Sequence, residues 1–418
     1  MKTNLAKILM LVENNFPRDP RVKNEAYALR EAGYTVTVIA LRKKGEKAKE
    51  VVNGVTVYRA RELELFKKTS EFNVSSFIKI VQNLKSVLGY IVEHFYVMFR
   101  CLILSLRVLK NEGFDVIHAH NPPDTLFLVG AFYKMFGKKF VFDHHDLSPE
   151  LYLSRFGVNN GFFHQGLLQV EKLCLKSANM VIATNDSYKK IGAKRGNKNP
   201  ESIFVVRNGP DLQRMRLVPP DKDLKSMNKT ILGYIGEMNP QDGLDYLLRA
   251  IRHLVYDFGR EDVYCVIIGS GDSVPDLRKL AVDLEIQEYT WFTGYIPDED
   301  MIRYLSTVDI CVDPDPSSPL NDVSTWIKIM EYMALGKPIV SFDLLETRYS
   351  AQDAAIYVTP NDEKKFAQAI MRLMDDPAKR KEMGEFGRQR IQNELAWHHV
   401  SKNLLTAYKW LLQSNGKN

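Results

Sequence analysis

Short β-branched or aromatic runs alternate with helix-periodic stretches from one end of this 418-residue chain to the other. In the first half the strand-like runs are Ile8–Glu13, Thr35–Leu41, Asp115–Ala119, Lys139–Asp143, Met180–Thr184 and Ile203–Val206. Helical periodicity predicts helices at Arg21–Ala32, Asp124–Phe136 and Gln165–Ser177. A proline-rich polar stretch, Asn208–Lys229, reads as a linker, and the alternation then restarts. The second set of strands falls at Thr230–Ile235, Val263–Gly269, Thr290–Thr293, Asp309–Val312, Pro338–Phe342 and Ala355–Val358. Apolar strands separated by helices predict parallel sheets covered on both faces. The fold class is therefore α/β, two doubly wound Rossmann-like domains in series. The expected division is 1–208 and 209–394, with a last helix over about 395–418 (its core Glu394–Leu412) packing back on the first domain. Ligands of such sheets sit beyond the carboxyl ends of the strands, so a cleft between the domains is the expected site.

Residues 74–110 depart from this rhythm. They form one long helical pattern crowded with Phe95, Phe99, Leu102 and Leu106, with cations such as Arg100, Arg107 and Lys110 spread through it. Two readings stand: core helices of the first domain, or an interfacial surface meeting anionic lipid. Charge favours attention to this half. Residues 1–190 carry 28 Lys and Arg against 18 Asp and Glu; the remainder carries 29 against 33. A basic first half suits an anionic partner, with a membrane surface preferred. No aromatic-basic or zinc-finger pattern supports nucleic acid. The longest run without a charge is Phe156–Val170, too short and too polar to span a bilayer. The first residues carry no export signal, and the four cysteines stand singly as buried thiols, so a cytoplasmic location is expected, with a peripheral place at the inner membrane face as the further option.

The densest chemistry lies in Leu320–Asp343, which leaves a strand, forms a loop and enters a helix. Ser324 and Thr325 read as N-caps whose helix-start amides suit a phosphate. Lys328 would add a cation beside a diphosphate. Glu331, two turns past Ser324, would accept hydrogen bonds from a ribose diol. His118 and His120 flank Ala119 at a strand end, and are expected to point the same way only if the strand has ended there. His144, His145 and Asp146 end the next strand. Four histidines with Asp143 and Asp146 could suggest a metal, but their spacing is unlike a zinc site and no metal or other cofactor is expected. Asp313-Pro314-Asp315 reads as a turn. Gly269-Ser270-Gly271-Asp272 lacks the full dinucleotide fingerprint.

The stretch EYMALGKPIV, with Glu331, resembles the nucleotide-sugar motif of the retaining GT-B glycosyltransferases of family 4. Other segments resemble that family in order: DPRVKNEAYALREAGYTVTVI, FDVIHAHNPPDTL, VFDHHDLSPE, VIATNDSY, VVRNGPDL, VIIGSGD and FTGYIPDEDM. The resemblance implies a nucleotide-sugar donor held by the second domain and a saccharide or lipid-linked saccharide acceptor held by the first. It implies that His120 lies beside the reacting sugar, that Gly236 and Gly269 approach the nucleotide, and that Tyr295 and Ile296 lie where the base is read. Arg18 and Arg21, in the Pro17–Arg21 loop, are candidates for holding an anionic acceptor or the donor phosphate, and His145 and Asp146 are candidates on the acceptor side.

Two departures from the family pattern matter. Val323 stands where a first glutamate is usual, leaving Asp322 and Asn321 as candidates for donor hydroxyls. The Gly236–Gly243 loop carries Glu237 and Asp242 where the family has an Arg and a Lys, so Arg207 is expected to supply part of the missing charge. The reading is a metal-independent hexosyl-type transferase (EC 2.4), retaining, serving cell-surface polysaccharide or glycolipid synthesis. A GT-B nucleotide-sugar epimerase or a non-catalytic sugar-nucleotide-binding subunit is the alternative.

Overall fold

The computed structural model describes residues 5–62, 76–156 and 161–413, with the side chains of 76–88, 90, 91, 155 and 156 left aside. Residues 74–75 of the long helical segment and 414–418 of the last helix therefore lie outside the described residues. The chain forms two compact units, one of residues 1–149, 160–206 and 401–418, the other of 150–159 and 207–400.

The first unit holds an eight-stranded sheet: β1 (Lys7–Asn15), β2 (Thr35–Arg42), β3 (Lys49–Val52), β4 (Val55–Arg61), β5 (Val116–His120), β6 (Lys139–His144), β7 (Met180–Ala183) and β8 (Ile203–Val205). Their spatial order is β3-β4-β2-β1-β5-β6-β7-β8. Ile8 to Val12 are buried in succession, as a central parallel strand covered on both faces requires. Helix α1 (Pro20–Glu31) follows with Asp19 as N-cap, its side chain accepting from the Val22 amide, and Pro20 in the first turn. The edge pair β3–β4 is the one antiparallel pair among the described residues and was not expected from the sequence. Its turn is Asn53-Gly54, both at positive φ (46° and 77°), which is the two-residue hairpin signature the strand search passed over.

Helix α2 (Ser76–Asn111) spans the long periodic segment. One stripe, Val97, Cys101, Leu104 and Val108, enters the core at helical spacing; another, Val92, Phe95, Phe99, Leu106 and Leu109, is exposed. The core reading thus describes the first face, and the second is exposed apolar surface. Among the described residues no helix is long and apolar enough to cross a membrane.

The second unit holds a six-stranded all-parallel sheet: β9 (Thr230–Ile235), β10 (Val263–Ile268), β11 (Thr290–Gly294), β12 (Ile310–Asp313), β13 (Ile339–Phe342) and β14 (Ala355–Val358), in the order β11-β10-β9-β12-β13-β14. Two apolar clusters lie on its faces. Leu232, Tyr234 and Ile267 face one, and their sequence neighbours Ile231 and Val266 the other. In each unit the strand order reverses once, at β1/β5 and at β9/β12. The loops leaving those strands therefore frame each sheet's crevice. The four cysteines are buried free thiols.

Candidate active site

At the β9/β12 switch point three loops converge. The chain after β9 binds the chain after β10: the Gly236 amide donates to the Ile268 carbonyl at 3.1 Å, and the Met238 amide to the Ser270 carbonyl at 3.1 Å. Gly269 sits at φ 134°, and any Cβ there would overlap the Gly236 carbonyl oxygen, so only glycine closes this approach. The loop after β12 is tied in by Asn321, whose buried amide donates to the Gln241 and Pro316 carbonyls at 2.8 and 2.9 Å. Asn321 is thus a strut between loops. Its neighbour Asp322 accepts from the Ser317 hydroxyl at 3.2 Å, and Val323 closes the short 3-10 turn Asn321–Val323.

The helix carrying Glu331 spans Ile327–Ala334, and its N-cap is Trp326, which makes no side-chain cap bond. The expected capping by Ser324 and Thr325 is therefore corrected. Extended backbone at Ser324 keeps the chain out of the helix, its hydroxyl donates to the Leu320 carbonyl at 2.7 Å, and Thr325 donates toward Glu346 Oε2 at 3.4 Å. Ser324 consequently shares no helical face with Glu331.

Lys328 also differs from expectation. Its ammonium lies 2.7 Å from Asp315 and 3.0 Å from Asp313, and it faces the rings of Tyr234 and Trp326 at 5.0 and 5.4 Å. The loop leaving β12 places both acids at the start of the helix, so the cation is consumed locally. Burial opposes charge on Lys328, but Asp315, Tyr234 and Asp313 outweigh it and raise its pKa well above the usual value. Burial and Asp313 push the Asp315 carboxyl well up. Asp242, the acid in the β9 loop, caps the adjacent turn by accepting from the Asn239 amide at 2.8 Å. Arg207 is buried with Glu346 Oε2 at 3.3 Å and Tyr349 stacked 3.9 Å beneath its guanidinium, so a carboxylate stands beside this cation too. Glu331 is bonded by Arg214 Nη1 at 2.8 Å, and the same guanidinium reaches Asp298 at 2.6 and 3.0 Å. Burial raises the Glu331 pKa and Arg214 opposes the rise. Arg214 lies in the stretch read as a linker, 117 residues from its partner, and no local signal pointed to it. Beyond β11, Tyr295 is 84% exposed and Ile296 packs partly into the core.

The first unit brings together a different set. His118 and His120 both lie within β5, two residues apart, and their rings stack at 4.2 Å. The condition that the strand must have ended is corrected, because residues i and i+2 of a strand share a face. His120 Nδ1 is 2.8 Å from Asp143 Oδ2, and His145 Nδ1 is 3.3 Å from the same oxygen. Arg21 bonds Asp143 through Nε and Nη2 at 2.7 Å each. It is buried in α1 rather than standing on an open loop, which corrects its candidacy for holding an acceptor anion; Arg18 remains exposed. Burial alone would raise the Asp143 carboxyl, but Arg21 and the two histidines hold it well below the usual range. Burial lowers His120, whereas at His145 the Asp143 carboxylate overcomes burial and raises the pKa. His120 is fully buried; His145, with 18% of its side chain exposed, is the member of the pair that meets solvent. Asn121 Oδ1 receives the His145 and Asp146 amides at 2.9 and 3.1 Å and fixes that turn. Behind it, Glu25 lies 3.7 Å from His118, whose Nδ1 is 2.9 Å from the Tyr408 hydroxyl of the last helix, Trp397–Gln413. Glu25, His118, His120 and Asp143 converge closely enough to hold an ion. Arg21 already places its cation on Asp143, which does not suit a second one.

Two family models match the chain, "Glycosyltransferase Family 4" over residues 21–214 and "Glycosyl transferases group 1" over 229–376. Between them they take in most of both units. The chain belongs to glycosyltransferase family 4. This glycosyltransferase is 24% identical over 338 residues to alpha-maltose-1-phosphate synthase of Mycolicibacterium smegmatis, covering 74% of this chain and 82% of that one. It is 24% identical over 316 residues to phosphatidyl-myo-inositol mannosyltransferase of Mycobacterium leprae, covering 74% and 77%. The Anabaena protein HepE, solved in complex with UDP-glucose, superposes with a TM-score of 0.72 at 15% identity, over 97% of this chain and all of that one. The two sheets, parallel apart from the β3–β4 edge pair, are those of the GT-B fold.

Proposed function

We propose that this glycosyltransferase takes a hexose-type unit from a nucleoside diphosphate sugar held by its second unit and attaches it to an acceptor hydroxyl held by its first. The observation that carries the reading is the meeting of the β9, β10 and β12 loops with the start of the Ile327–Ala334 helix at the switch point. Main-chain amides and a helix dipole suit a diphosphate there. Lys328 and Arg207 each face a carboxylate, so the leaving group relies on these dipoles more than on side-chain charge. Glu331, steadied by Arg214, takes the ribose. In the first unit, Asp143 stays ionised against Arg21 and orients His145 toward the acceptor, with His120 as a buried prop. Retention follows if the bond from C1 to the diphosphate breaks and the bond to the acceptor oxygen forms on the same face, the acceptor proton passing to the departing diphosphate. No metal or cofactor is assigned a part. The relatives' names fit acceptors of polysaccharide or glycolipid synthesis.

The test is incubation of the full chain with UDP-, GDP- and ADP-sugars without acceptor. Slow release of nucleoside diphosphate supports transfer chemistry. Interconversion of the donor sugar without release would indicate the epimerase, and binding without either reaction a non-catalytic subunit.

A further inference from the structure

A basic concavity of the first unit has no histidine among its described lining residues. A cavity of about 390 Å³ is lined by Arg42, Lys49, Arg59, Arg61, Arg100 and Arg107, with Tyr58 and Leu104, and by no acid among the described residues. A second, more open hollow of about 900 Å³ shares Arg42 and Arg61 with it and adds Arg18, Lys43 and Lys44, with the acid Glu62. The fold builds this cluster deliberately. Arg42 and Arg61 are direct partners at the ends of β2 and β4, and Arg59 is two residues back on the same face of β4. Arg100 and Arg107 are seven residues apart, on one face of α2.

Some of these cations are compensated. Arg59 pairs with Glu46 and Glu50 at 3.2 and 2.6 Å, and Lys49 with Glu112 at 2.7 Å. Arg42 gives its Nε to a main-chain carbonyl. Among the described residues, Arg42, Arg61, Arg100 and Arg107 have no carboxylate within ion-pair distance, and the buried Nε of Arg100 has no hydrogen-bond partner at all. Directly opposed like charges on neighbouring strands cost stability unless an anion lies between them. Four unpaired guanidiniums around one cavity exceed what a single carboxylate offsets, whereas a diphosphate carries two to three charges and oxygens matched to the guanidinium fork.

We propose that this cavity is an anion site for the diphosphate (pyrophosphoryl) group of the acceptor. The proposal rests on the reading of the first unit as the acceptor unit. Phe99, beside Arg100, and Leu106, beside Arg107, are exposed on α2, so apolar surface is at hand for a chain attached to that diphosphate.

The experiment is calorimetric titration of the full chain with inorganic pyrophosphate, with a short-chain polyprenyl diphosphate, and with the matching uncharged prenol. Wild type is compared with Arg61→Gln and with Arg100→Gln/Arg107→Gln. The account expects both diphosphate compounds to bind at least tenfold more weakly to each variant, and the prenol not to bind. Tighter binding of the prenyl form assigns a lipid-linked acceptor, and equal binding a soluble one. Donor hydrolysis of the variants is expected to match wild type and their melting temperature to equal or exceed it, since a repelling charge is removed, which separates this site from the donor loops and from misfolding. Unaltered diphosphate affinity in folded variants would overturn the proposal while leaving the transferase reading intact. Failure of wild type to hydrolyse any donor would strike that reading instead.

Discussion

Lys328 and Glu25 illustrate how single buried charges govern this molecule. Lys328 is the cation facing both Asp313 and Asp315. Lys328→Met strands two buried acids, and the expected loss is about 3–5 kcal/mol of folding stability, read by urea unfolding. If stability held and only turnover fell, Lys328 would belong to the diphosphate after all. Glu25 works in the opposite sense. Burial and the Asp143 charge push its pKa up to about 8. An unfolded glutamate titrates near ~4.3. As pH rises from there to about 8, the unfolded chain releases this proton and the folded chain keeps it, so stability declines across that window. Glu25→Gln removes the decline. Its melting temperature is expected to match wild type near pH 4 and exceed it at pH 8, and equal curves at both would refute the assignment. Asp143, held low, acts the other way: its contribution is present above ~3.9 and is lost only as the pH falls through its depressed folded value.

At the scale of elements, the strand–loop–helix repeats were readable because continuous apolar strands and helical periodicity are local properties. Twelve of the fourteen strands stood out in this way. The β3–β4 hairpin did not, since Lys49–Val52 is short and half-exposed; its Asn53-Gly54 turn was the usable signal. Helix boundaries also misled at Ser324 and Thr325, because good capping residues are equally at home in the loop that precedes a helix. The close approach of the β9 and β10 loops yields a direct prediction. Gly269→Ala forces the Gly236 carbonyl away, and nucleotide-sugar binding is expected to fall at least tenfold by calorimetry. The exposed stripe of α2 yields another. Burying a phenylalanine is worth roughly 1.5–3 kcal/mol, so Phe95→Ser/Phe99→Ser is expected to reduce co-sedimentation with phosphatidylglycerol vesicles more than tenfold. Unchanged sedimentation would remove the membrane from the account.

Across the whole molecule, the chemistry was legible where motif residues are close in sequence and hidden where the fold joins distant ones. Glu331 and His120 could be named as candidates from their segments, and Asp143 only beside the histidines, in a metal grouping that was not expected. Arg214 on Glu331, Arg21 on Asp143 and Tyr408 on His118 span 117, 122 and 290 residues, and no periodicity encodes such pairings. The same distance hid the acidic partners of Lys328 and Arg207, whose own charges were visible in the sequence. The first unit's excess of Lys and Arg pointed to an anionic partner, but only the packing of β2, β4 and α2 collects that charge into a cavity. The central claim, that the second unit's loops cradle a nucleoside diphosphate sugar, is tested most directly by hydrogen–deuterium exchange with and without a donor that raises the melting temperature. Slowed exchange at residues 236–243, 269–272 and 320–331 is the predicted result; protection absent there and confined to the first unit would contradict it.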